Sequence, residues 1–319
     1  GGTSSAIPTW SGGTWSGGGT VELAGTSSLD ISGYPTLAGQ QLKVLSGGLA
    51  VLTGNISVPN DKASVDVRSG GTLRLQLPEG PGNVGIDTFP SGTLEVLNAG
   101  LLQVLGSNGT PSLGSGFLAS QGNGPSASSL QLTSLGSIQV GAPGAPVTFE
   151  IKRGYSPGSV TTATLQGALN VAEGSRLYAN GSDLTITAQP SAFTLAGTLQ
   201  VDGGSTTLNL GTLNPTIGAL SLQDGTLTLN GNASTNAFSL TSGTLNNPGT
   251  LTLNGGSLAA THIWSGGTIT GGGTLNLASQ GSLVIGGNFF PYLAGQQLNI
   301  GSLALATVNY EVHADSGVN

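Results

Sequence analysis

The sequence predicts an all-β protein that folds as a parallel β-helix (β-solenoid) with protruding loops. Short segments in which aliphatic and polar residues alternate recur along most of the 319 residues, whereas helical periodicity is nearly absent. The tripeptide Gly-Thr-Leu introduces many of these segments, and residues 10–20 return almost unchanged at 264–274. Short strands with a common lead-in and a long internal repeat are typical of a solenoid of stacked coils.

The predicted strands are short and carry one aliphatic face. Leucine or another aliphatic residue alternates in them with Thr, Asn, Gln or a charged residue, as in a strand with one buried face. The clearest examples are Val21–Leu23, Leu73–Leu77, Leu94–Val96, Leu130–Leu132, Leu184–Ile186, Leu208–Leu210, Leu227–Leu229, Leu251–Leu253 and Leu275–Leu277. Asparagines at the polar positions or strand ends are expected to stack as hydrogen-bonded ladders, namely Asn209, Asn230, Asn254 and Asn276.

The tripeptide Gly-Thr-Leu has a simple physical explanation at the corner of a coil. We expect Gly to adopt the positive φ of the corner, Thr to begin the extended segment and Leu to point inward. The tripeptide begins at Gly71, Gly92, Gly197, Gly211, Gly225, Gly243, Gly249 and Gly273. An antiparallel sandwich is less well supported, because Asn-Gly and Asp-Gly pairs also suit solenoid corners and the aromatic content is only 5%.

Three segments interrupt the strand pattern and predict loops. Residues 78–91, 106–129 and 141–158 are rich in Pro, Gly or Ser. Insertions in solenoids form loops on one face, which is often the binding face. Residues 310–319 change in composition and are predicted to form a tail or linker.

The internal repeat determines the expected domain organisation. Nine of the eleven residues at 10–20 are identical at 264–274, an offset of 254, and Leu37–Leu42 recurs intact as Leu293–Leu298. We therefore expect residues 1–309 to form a single β-solenoid, with one unit of about 254 residues and the start of a second. Such a piece is expected to belong to a longer array, so adjacent repeats or other copies of the chain would be its partners.

The composition of the chain indicates which kinds of partner it is expected to bind and in which compartment it is expected to lie. With 7 Lys and Arg against 14 Asp and Glu, the chain has no basic stripe, so nucleic acid is not an expected partner. No apolar run approaches the length of a membrane-spanning helix. Neither an initial Met nor a signal peptide is present, so the export signal is expected to lie outside this fragment. Few charges, no Cys and abundant Gly, Ser, Thr and Asn predict an extracellular protein of the bacterial surface.

An enzymatic role is not predicted, because the groups it needs are scarce. Polysaccharide-cleaving β-helices need paired carboxylates, or an acid beside Arg or Lys, on one exposed face. The best candidates are Glu150, Glu173 and Asp183, for which a solvated strand with surface ion pairs is the simpler explanation. The two histidines, His262 and His313, lie in no recognisable catalytic or metal-binding pattern, so no cofactor and no metal site are expected.

The three tryptophans are the residues that best suggest a ligand. Trp10, Trp15 and Trp264 would offer a stacking platform to a sugar if their ring faces were exposed, with host or matrix glycans as the ligand class. Trp10 and Trp264 are equivalent in the repeat, and Ile269 replaces Trp15 in the second copy. An exchange of Trp for Ile favours packing in the core over binding.

The repeated motifs resemble those of a known group of proteins. Trp-Ser-Gly-Gly-Thr, then Gly-Gly-Gly-Thr, a Leu-x-Ile strand and a Leu-x-Gly-x-x-Leu step look like the repeats of large β-helical bacterial adhesins, the filamentous-haemagglutinin-like and autotransporter-like exoproteins. The motif-level likeness covers residues 9–45 and 263–300, and Gly-Thr-Leu extends a looser likeness over most of the rest. It implies a right-handed parallel β-helix, export across a Gram-negative envelope and a role in adhesion or as a stalk. An Asn-Pro-Asn-Gly secretion signature, a C-terminal barrel-forming segment and Arg-Gly-Asp are missing, and no functional residue is carried over.

These features together predict a non-enzymatic structural or adhesive module outside the cell. It would form the shaft of a bacterial surface adhesin or a self-associating filament. Two alternatives stay open at this point. A polysaccharide-cleaving β-helix would bring acids together near residues 150–183, and a polysaccharide-binding module would expose its tryptophan rings.

Overall fold

A computed structural model of the chain describes residues 7–89, 91–106, 114–120, 127–154, 158–255, 261–287, 290–309 and 311–314. All regular secondary structure in these ranges is β-strand, and the strands of successive coils pair in parallel. The predicted all-β parallel solenoid is therefore confirmed. The chain divides into two compact units, Gly1–Ala168 and Leu169–Asn319. None of the described residues forms a helix that is long and apolar enough to cross a membrane.

The first unit has three sides, each a stack of parallel strands from successive coils. The first side contains, in order, β1 (Thr9–Trp10), β4 (Ser28–Ile31), β7 (Leu49–Leu52), β10 (Thr72–Leu77), β13 (Leu101–Gly106) and β16 (Ser137–Val140). The second side contains β2 (Thr14–Trp15), β5 (Thr36–Leu37), β8 (Asn55–Val58), β11 (Val84–Thr88), β14 (Ser115–Ser120) and β17 (Thr148–Arg153). The third contains β3 (Thr20–Leu23), β6 (Gln41–Val44), β9 (Lys62–Val67), β12 (Thr93–Asn98), β15 (Ser129–Ser134) and β18 (Val160–Leu165).

The second unit is built in the same way, with long strands that turn corners. Its first strand, β19 (Leu169–Val171), pairs with β22 (Phe193–Leu195). One side then contains β20 (Arg176–Asn180), parts of β23 (Thr198–Asn209), β24 (Thr216–Asn230) and β25 (Ala233–Leu240), then β28 (Thr261–Trp264), β31 (Ser282–Ile285) and β34 (Leu305–Val308). Another contains β21 (Asp183–Thr187), further parts of β23 and β24, then β26 (Thr244–Asn246), β29 (Thr268–Thr270), β32 (Tyr292–Leu293) and β35 (His313–Ala314). A third contains part of β25, then β27 (Thr250–Leu253), β30 (Thr274–Leu277) and β33 (Gln297–Ile300).

The core of each unit consists of columns of aliphatic side chains that lie directly on their register partners. One column in the first unit passes through Ile31, Leu52, Leu75, Val104 and Val140, all 0% exposed. The two-residue alternation of the sequence produces these columns, because every second side chain of a strand points inward. Each buried aliphatic side chain contributes roughly 1.5–3 kcal/mol through the hydrophobic effect.

The coils are less regular in length than the sequence suggests. Register partners are 18 residues apart at Thr216 and Ser234 but 36 apart at Asn98 and Ser134. The longer coils accommodate the segments that the sequence predicts as loops, yet each segment contains a strand of the second side. These strands are β11 in 78–91, β14 in 106–129 and β17 in 141–158. The loops are therefore shorter than predicted, because a Pro- and Gly-rich segment still contributes the few residues that a coil needs.

The tail predicted at 310–319 also contains a strand. His313–Ala314 forms β35 and pairs in parallel with Tyr292–Leu293. Tyr310 and residues 315–319 lie outside the described residues. Part of the predicted tail thus continues the solenoid.

Glycines serve the corners in two different ways. Gly225 and Gly243 of Gly-Thr-Leu adopt φ of +80° and +78°, as the sequence predicts. Gly71 and Gly273 of the same tripeptide do not adopt a positive φ, so the prediction is wrong at these positions. A Cβ added at either position would collide with a backbone carbonyl oxygen of the neighbouring coil. For Gly71 this is the carbonyl oxygen of Val44. There, glycine is required because successive coils approach each other closely.

Three alanine substitutions in the first unit separate these two requirements. Gly47 has a φ of +79° and no room for a Cβ against the carbonyl of Gly25, whereas Gly39 has a φ of +63° and open space around it. Gly12 has neither constraint. We expect Gly39→Ala to cost about 1–2 kcal/mol through backbone strain, Gly47→Ala to cost more, and Gly12→Ala to be within about 0.5 kcal/mol of neutral.

Urea unfolding followed by circular dichroism measures the three free energies of unfolding. Equal losses in Gly47→Ala and Gly39→Ala would show that φ alone selects glycine at these corners and would contradict the role of close coil contact.

Candidate functional site

Two of the three tryptophans, Trp10 and Trp264, are buried, and Trp15 is half-buried. In the first unit the rings of Trp10 and Trp15 stack with their centroids 3.7 Å apart and their planes 2° from parallel. Trp10 is 6% exposed and Trp15 is half-buried. Both side chains point inward, because their register partners are the buried Ile31 and Leu37. The two rings pack on each other and their residues pair with the next coil, which agrees with the packing role that the exchange of Trp for Ile favours.

Trp264 of the second unit is buried completely. Its exposed fraction is 0%, and its register partners in the neighbouring coils are Leu240 and Ile285. The indole Nε1 donates a hydrogen bond to the carbonyl of Gly267 at 3.4 Å. Burial therefore leaves Trp10 and Trp264 without a ring face for a sugar, so a stacking platform of all three tryptophans is not formed.

The three candidate carboxylates occupy three different environments. Glu150 is half-buried on β17, beside its register partner Phe117. Glu173 is exposed in the turn that follows β19, and Asp183 is exposed at the start of β21. Among the described residues, no three His, Cys, Asp or Glu side chains lie close enough together to hold a metal ion.

Asp183 has a structural partner that sequence reasoning did not anticipate. Its Oδ1 accepts a hydrogen bond from the backbone N–H of Ser205, its register partner one coil further on, at 3.1 Å. Asparagines make the same contact at other corners: Asn55 accepts from the N–H of Gly85, Asn83 from Ser115 and Asn232 from Thr250, at 2.9–3.0 Å. Asp183 thus belongs to a recurring class of side chain that ties one coil to the next.

Polar ladders cover part of the outer surface of the first unit. The Nε of Arg74 donates to Oε1 of Gln103 at 3.0 Å, and Nε2 of Gln103 donates to Oε1 of Gln139 at 2.9 Å. One ion pair forms a similar rung between coils, with Lys43 Nζ 3.2 Å from Glu22 Oε1. A second ion pair, Arg68 with Asp66 at 2.7 Å, lies within a single coil.

The second unit has ladders of the same kind. Arg176 donates to Gln200 at 2.7 Å, and Gln200 donates to Gln223 at 3.0 Å. The expected asparagine ladder forms only in part. Asn230 donates to Asn209 at 2.8 Å, whereas Asn254 donates to Asn236 at 2.9 Å.

A shallow polar groove lies in the first unit where the corners of three successive coils meet. Its volume is about 260 Å³, and its lining includes Gly18, Gly39, Gln40, Lys62 and Ser64. Lys62 supplies a positive charge, and no carboxylate lines the groove. The groove can therefore offer hydrogen bonds and one cation to a polar ligand, but it lacks the acid pair that glycoside cleavage requires.

The glutamines of the repeated Leu-Ala-Gly-Gln-Gln-Leu motif were not singled out from the sequence. Gln40 is 8% exposed and lies beside Gly19. Its equivalent in the second copy, Gln296, is 2% exposed and donates from Nε2 to the carbonyl of Asn247 at 2.8 Å. The sequence signal that could have identified these glutamines as buried is that the whole motif recurs unchanged. An exposed glutamine does not require the same flanking residues in both copies.

Asp87 on β11 is a carboxyl with an altered pKa. Burial raises its pKa above the ordinary aspartate value, and a hydrogen bond from the Ser57 side chain partly opposes this effect. Its register partners are Ser57 and Ala119, neither of which can act as a second acid. The raised pKa of Asp87 is therefore explained by its partial burial, which disfavours the charged carboxylate, and no catalytic role is needed to explain it.

His262 is a histidine inside the core of the second unit. It is 0% exposed on the inner face of β28, and its ring Nε2 lies 3.0 Å from the carbonyl oxygen of Asn254. Because a carbonyl can only accept, Nε2 is the donor in this hydrogen bond. Its Nδ1 has no hydrogen-bond partner among the described residues. Burial lowers the pKa of His262, against the opposing effect of the Asn254 hydrogen bond.

Substitution at Asp183 tests whether this residue is structural. Asp183→Ala removes the acceptor of the Ser205 N–H, and we expect a loss of about 1 kcal/mol. Asp183→Asn keeps an oxygen in place and should retain nearly all of the stability, as the asparagines do at equivalent corners. Hydrogen exchange of the Ser205 amide and urea unfolding provide the readouts, with the exposed Glu173→Ala as control. An equal loss of protection in both Asp183 variants would show that the charge matters and the bond does not.

The lowered pKa of His262 predicts that the second unit loses stability as the pH falls. The unfolded chain takes up a proton near the ordinary histidine pKa of about 6.5, whereas the folded chain does so only at lower pH. The free energy of unfolding should therefore decrease between about pH 7 and pH 5. His262→Gln keeps a donor for Asn254 without titrating, so its stability should change much less over this range.

Thermal unfolding at several pH values measures this dependence, and exposed His313→Gln is the matched control. A pH dependence that survives in His262→Gln and disappears in His313→Gln would contradict the assignment.

Comparison of the chain with known protein families, with curated proteins and with solved structures gave no match.

Proposed function

We propose that the chain is a non-enzymatic structural and adhesive module of a bacterial cell surface, part of the shaft of an adhesin or of a filament. The observation that carries this proposal is the use of polar side chains in the fold. Outward-facing Arg, Gln, Asn and Asp side chains bond to the next coil, as in the ladder from Arg74 to Gln139. A surface organised for coil-to-coil cohesion suits a protein that bears load along the stack.

The carboxylates and rings considered for chemistry support the same proposal. Asp183 bonds to a backbone N–H, and Trp264 fills the core. The polar groove beside Lys62 is a place where a glycan could be held, which agrees with an adhesive role. It holds no acid pair, so it favours binding over cleavage of polysaccharide.

The extracellular location is supported by composition and by the resemblance to large β-helical adhesins. Few charges, no Cys and abundant Gly, Thr and Asn suit a long repetitive protein exposed outside the cell. Its partners would then be adjacent repeats, other copies of the chain and glycans of a host or matrix. Labelling of intact cells with an antibody against the chain tests this location, and labelling only after lysis would contradict it.

Mechanical unfolding tests the structural role. A shaft built of stacked coils should resist force and release its coils one after another. At about 3.5 Å per residue, a coil of 18 residues adds about 60 Å of contour length and one of 36 residues adds about 130 Å. We expect single-molecule pulling at the two ends of the chain to give steps in this range.

Two results would contradict the proposal. One is extension without measurable resistance. The other is cleavage of any member of a polysaccharide panel by the wild-type chain, provided that Glu150→Gln or Asp183→Asn abolishes the cleavage. The second result would replace the structural role with an enzymatic one.

A further inference from the structure

One side of the second unit carries two columns of mostly hydroxyl-bearing side chains, which we call the threonine face. The columns run across β23, β24, β26 and β29, which pair in succession. One column consists of Ser205, Thr226, Thr244 and Thr268. The other consists of Thr207, Thr228, Asn246 and Thr270. The columns are in continuous register, because the register shifts between β23 and β24 lie before Ser205.

The threonine face points outward and is accessible to solvent. Its residues alternate along the strands with buried ones such as Leu227, Leu245 and Ile269, so their side chains project from the outer surface. Ser205 is exposed, and the other members of the two columns are half-buried. Partial burial is expected on a flat face where each side chain has neighbours on several sides.

The hydroxyl groups of the threonine face are not used by the protein. On another side of the same unit, outward hydroxyls pair across coils, as Thr216 does with Ser234 at 2.9 Å. Within the part of the chain that the structure describes, none of the Ser and Thr hydroxyls of the threonine face makes a hydrogen bond to another residue. A hydroxyl can donate one hydrogen bond and accept two. The threonine face therefore offers all of this capacity to whatever lies against it.

The fold fixes the distances between these groups. Successive members of a column are one strand spacing apart, about 4.8 Å, and the two columns are two residues apart along each strand, about 6.6 Å. The β-branched threonine side chain is restricted at χ1, so its hydroxyl and methyl groups recur in similar places from coil to coil. The result is a two-dimensional lattice whose two repeats are close to those of the oxygen atoms on a surface of hexagonal ice.

The composition of the threonine face favours ice over a sugar chain as its ligand. Its two columns contain no charged side chain and no aromatic ring on which a sugar could stack. Methyl groups stand beside the hydroxyls, and water next to apolar groups has restricted orientational freedom. The water layer above the face is therefore ordered by the methyl groups and positioned by the hydroxyls.

We infer that the threonine face binds ice. Water held by the hydroxyls at the lattice repeats would continue the oxygen positions of an ice surface, so the chain would attach through many hydrogen bonds and through burial of its methyl groups. Ice then grows only between the attached molecules, its growth front curves, and its freezing point falls below its melting point. This inference goes beyond the proposed function, because a shaft can bear load whatever its sides bind.

Single ice crystals grown in a solution of the chain test the inference. The wild-type chain should produce faceted crystals and a gap between the melting and freezing temperatures. Thr228→Tyr places a ring above the middle of the lattice and should remove most of this gap. Thr252→Tyr is the matched control, because Thr252 is also a half-buried outward threonine but lies on β27, on a different side of the unit. It should keep the gap.

Circular dichroism checks that each variant is folded. If Thr228→Tyr unfolds, Thr270→Lys replaces it, because a flexible charged side chain at the end of the second column also disrupts the lattice and needs no room in the core.

Three results would overturn the inference. One is a wild-type chain that leaves ice crystals round and shows no gap. Another is a folded Thr228→Tyr that keeps the full gap, or a Thr252→Tyr that loses as much of it, since either would remove the effect from this face. The third is sedimentation of the chain with microcrystalline cellulose, lost in Thr228→Tyr, without any effect on ice. That result would assign the face to a crystalline polysaccharide. None of these results would change the steps expected in mechanical unfolding.

Discussion

The structure depends on one constraint: each residue of a coil lies on its register partner in the next coil, one strand spacing of about 4.8 Å away. Backbone hydrogen bonds impose this spacing along the strands of both units. At that distance an aliphatic side chain packs on an aliphatic side chain, as Leu52 does on Leu75. At a corner the same distance leaves no room for a Cβ, so Gly71 and Gly273 are required although their backbone is not left-handed.

The same constraint explains why outward polar groups form ladders. Two amide side chains one coil apart can each donate and accept, so Gln103 and Gln139 bond without strain. Carboxylates cannot stack on each other in this way because like charges repel. Glu22 therefore pairs with Lys43 of the next coil, and Asp183 accepts from a backbone N–H. Coil stacking thus selects Asn and Gln over acids, which accounts for a surface rich in hydrogen bonds and poor in charge.

Local patterns were enough to predict the fold but not the detailed roles of its residues. The inward-pointing leucine of Gly-Thr-Leu follows from alternation alone, and Leu73 and Leu275 are indeed 0% exposed. The strands β11, β14 and β17 were missed because a coil needs only a few extended residues, which Pro and Gly in the flanking turns conceal. The hydrogen bond of Asp183 could not be predicted from neighbouring residues in the sequence. Its partner Ser205 is one coil away, and coil length varies from 18 to 36 residues.

The repeated motif shows that burial in this protein is a property of position in the stack rather than of sequence. Val44 and Ile300 occupy equivalent sites in nearly the same motif, yet one is fully buried and the other is 52% exposed. In a solenoid each coil contacts only its neighbours, so a coil with one neighbour has about half of the interface of an interior coil. A further coil on the stack therefore stabilises the coil that it covers. Cohesion that grows with the number of coils is the property that a load-bearing shaft requires.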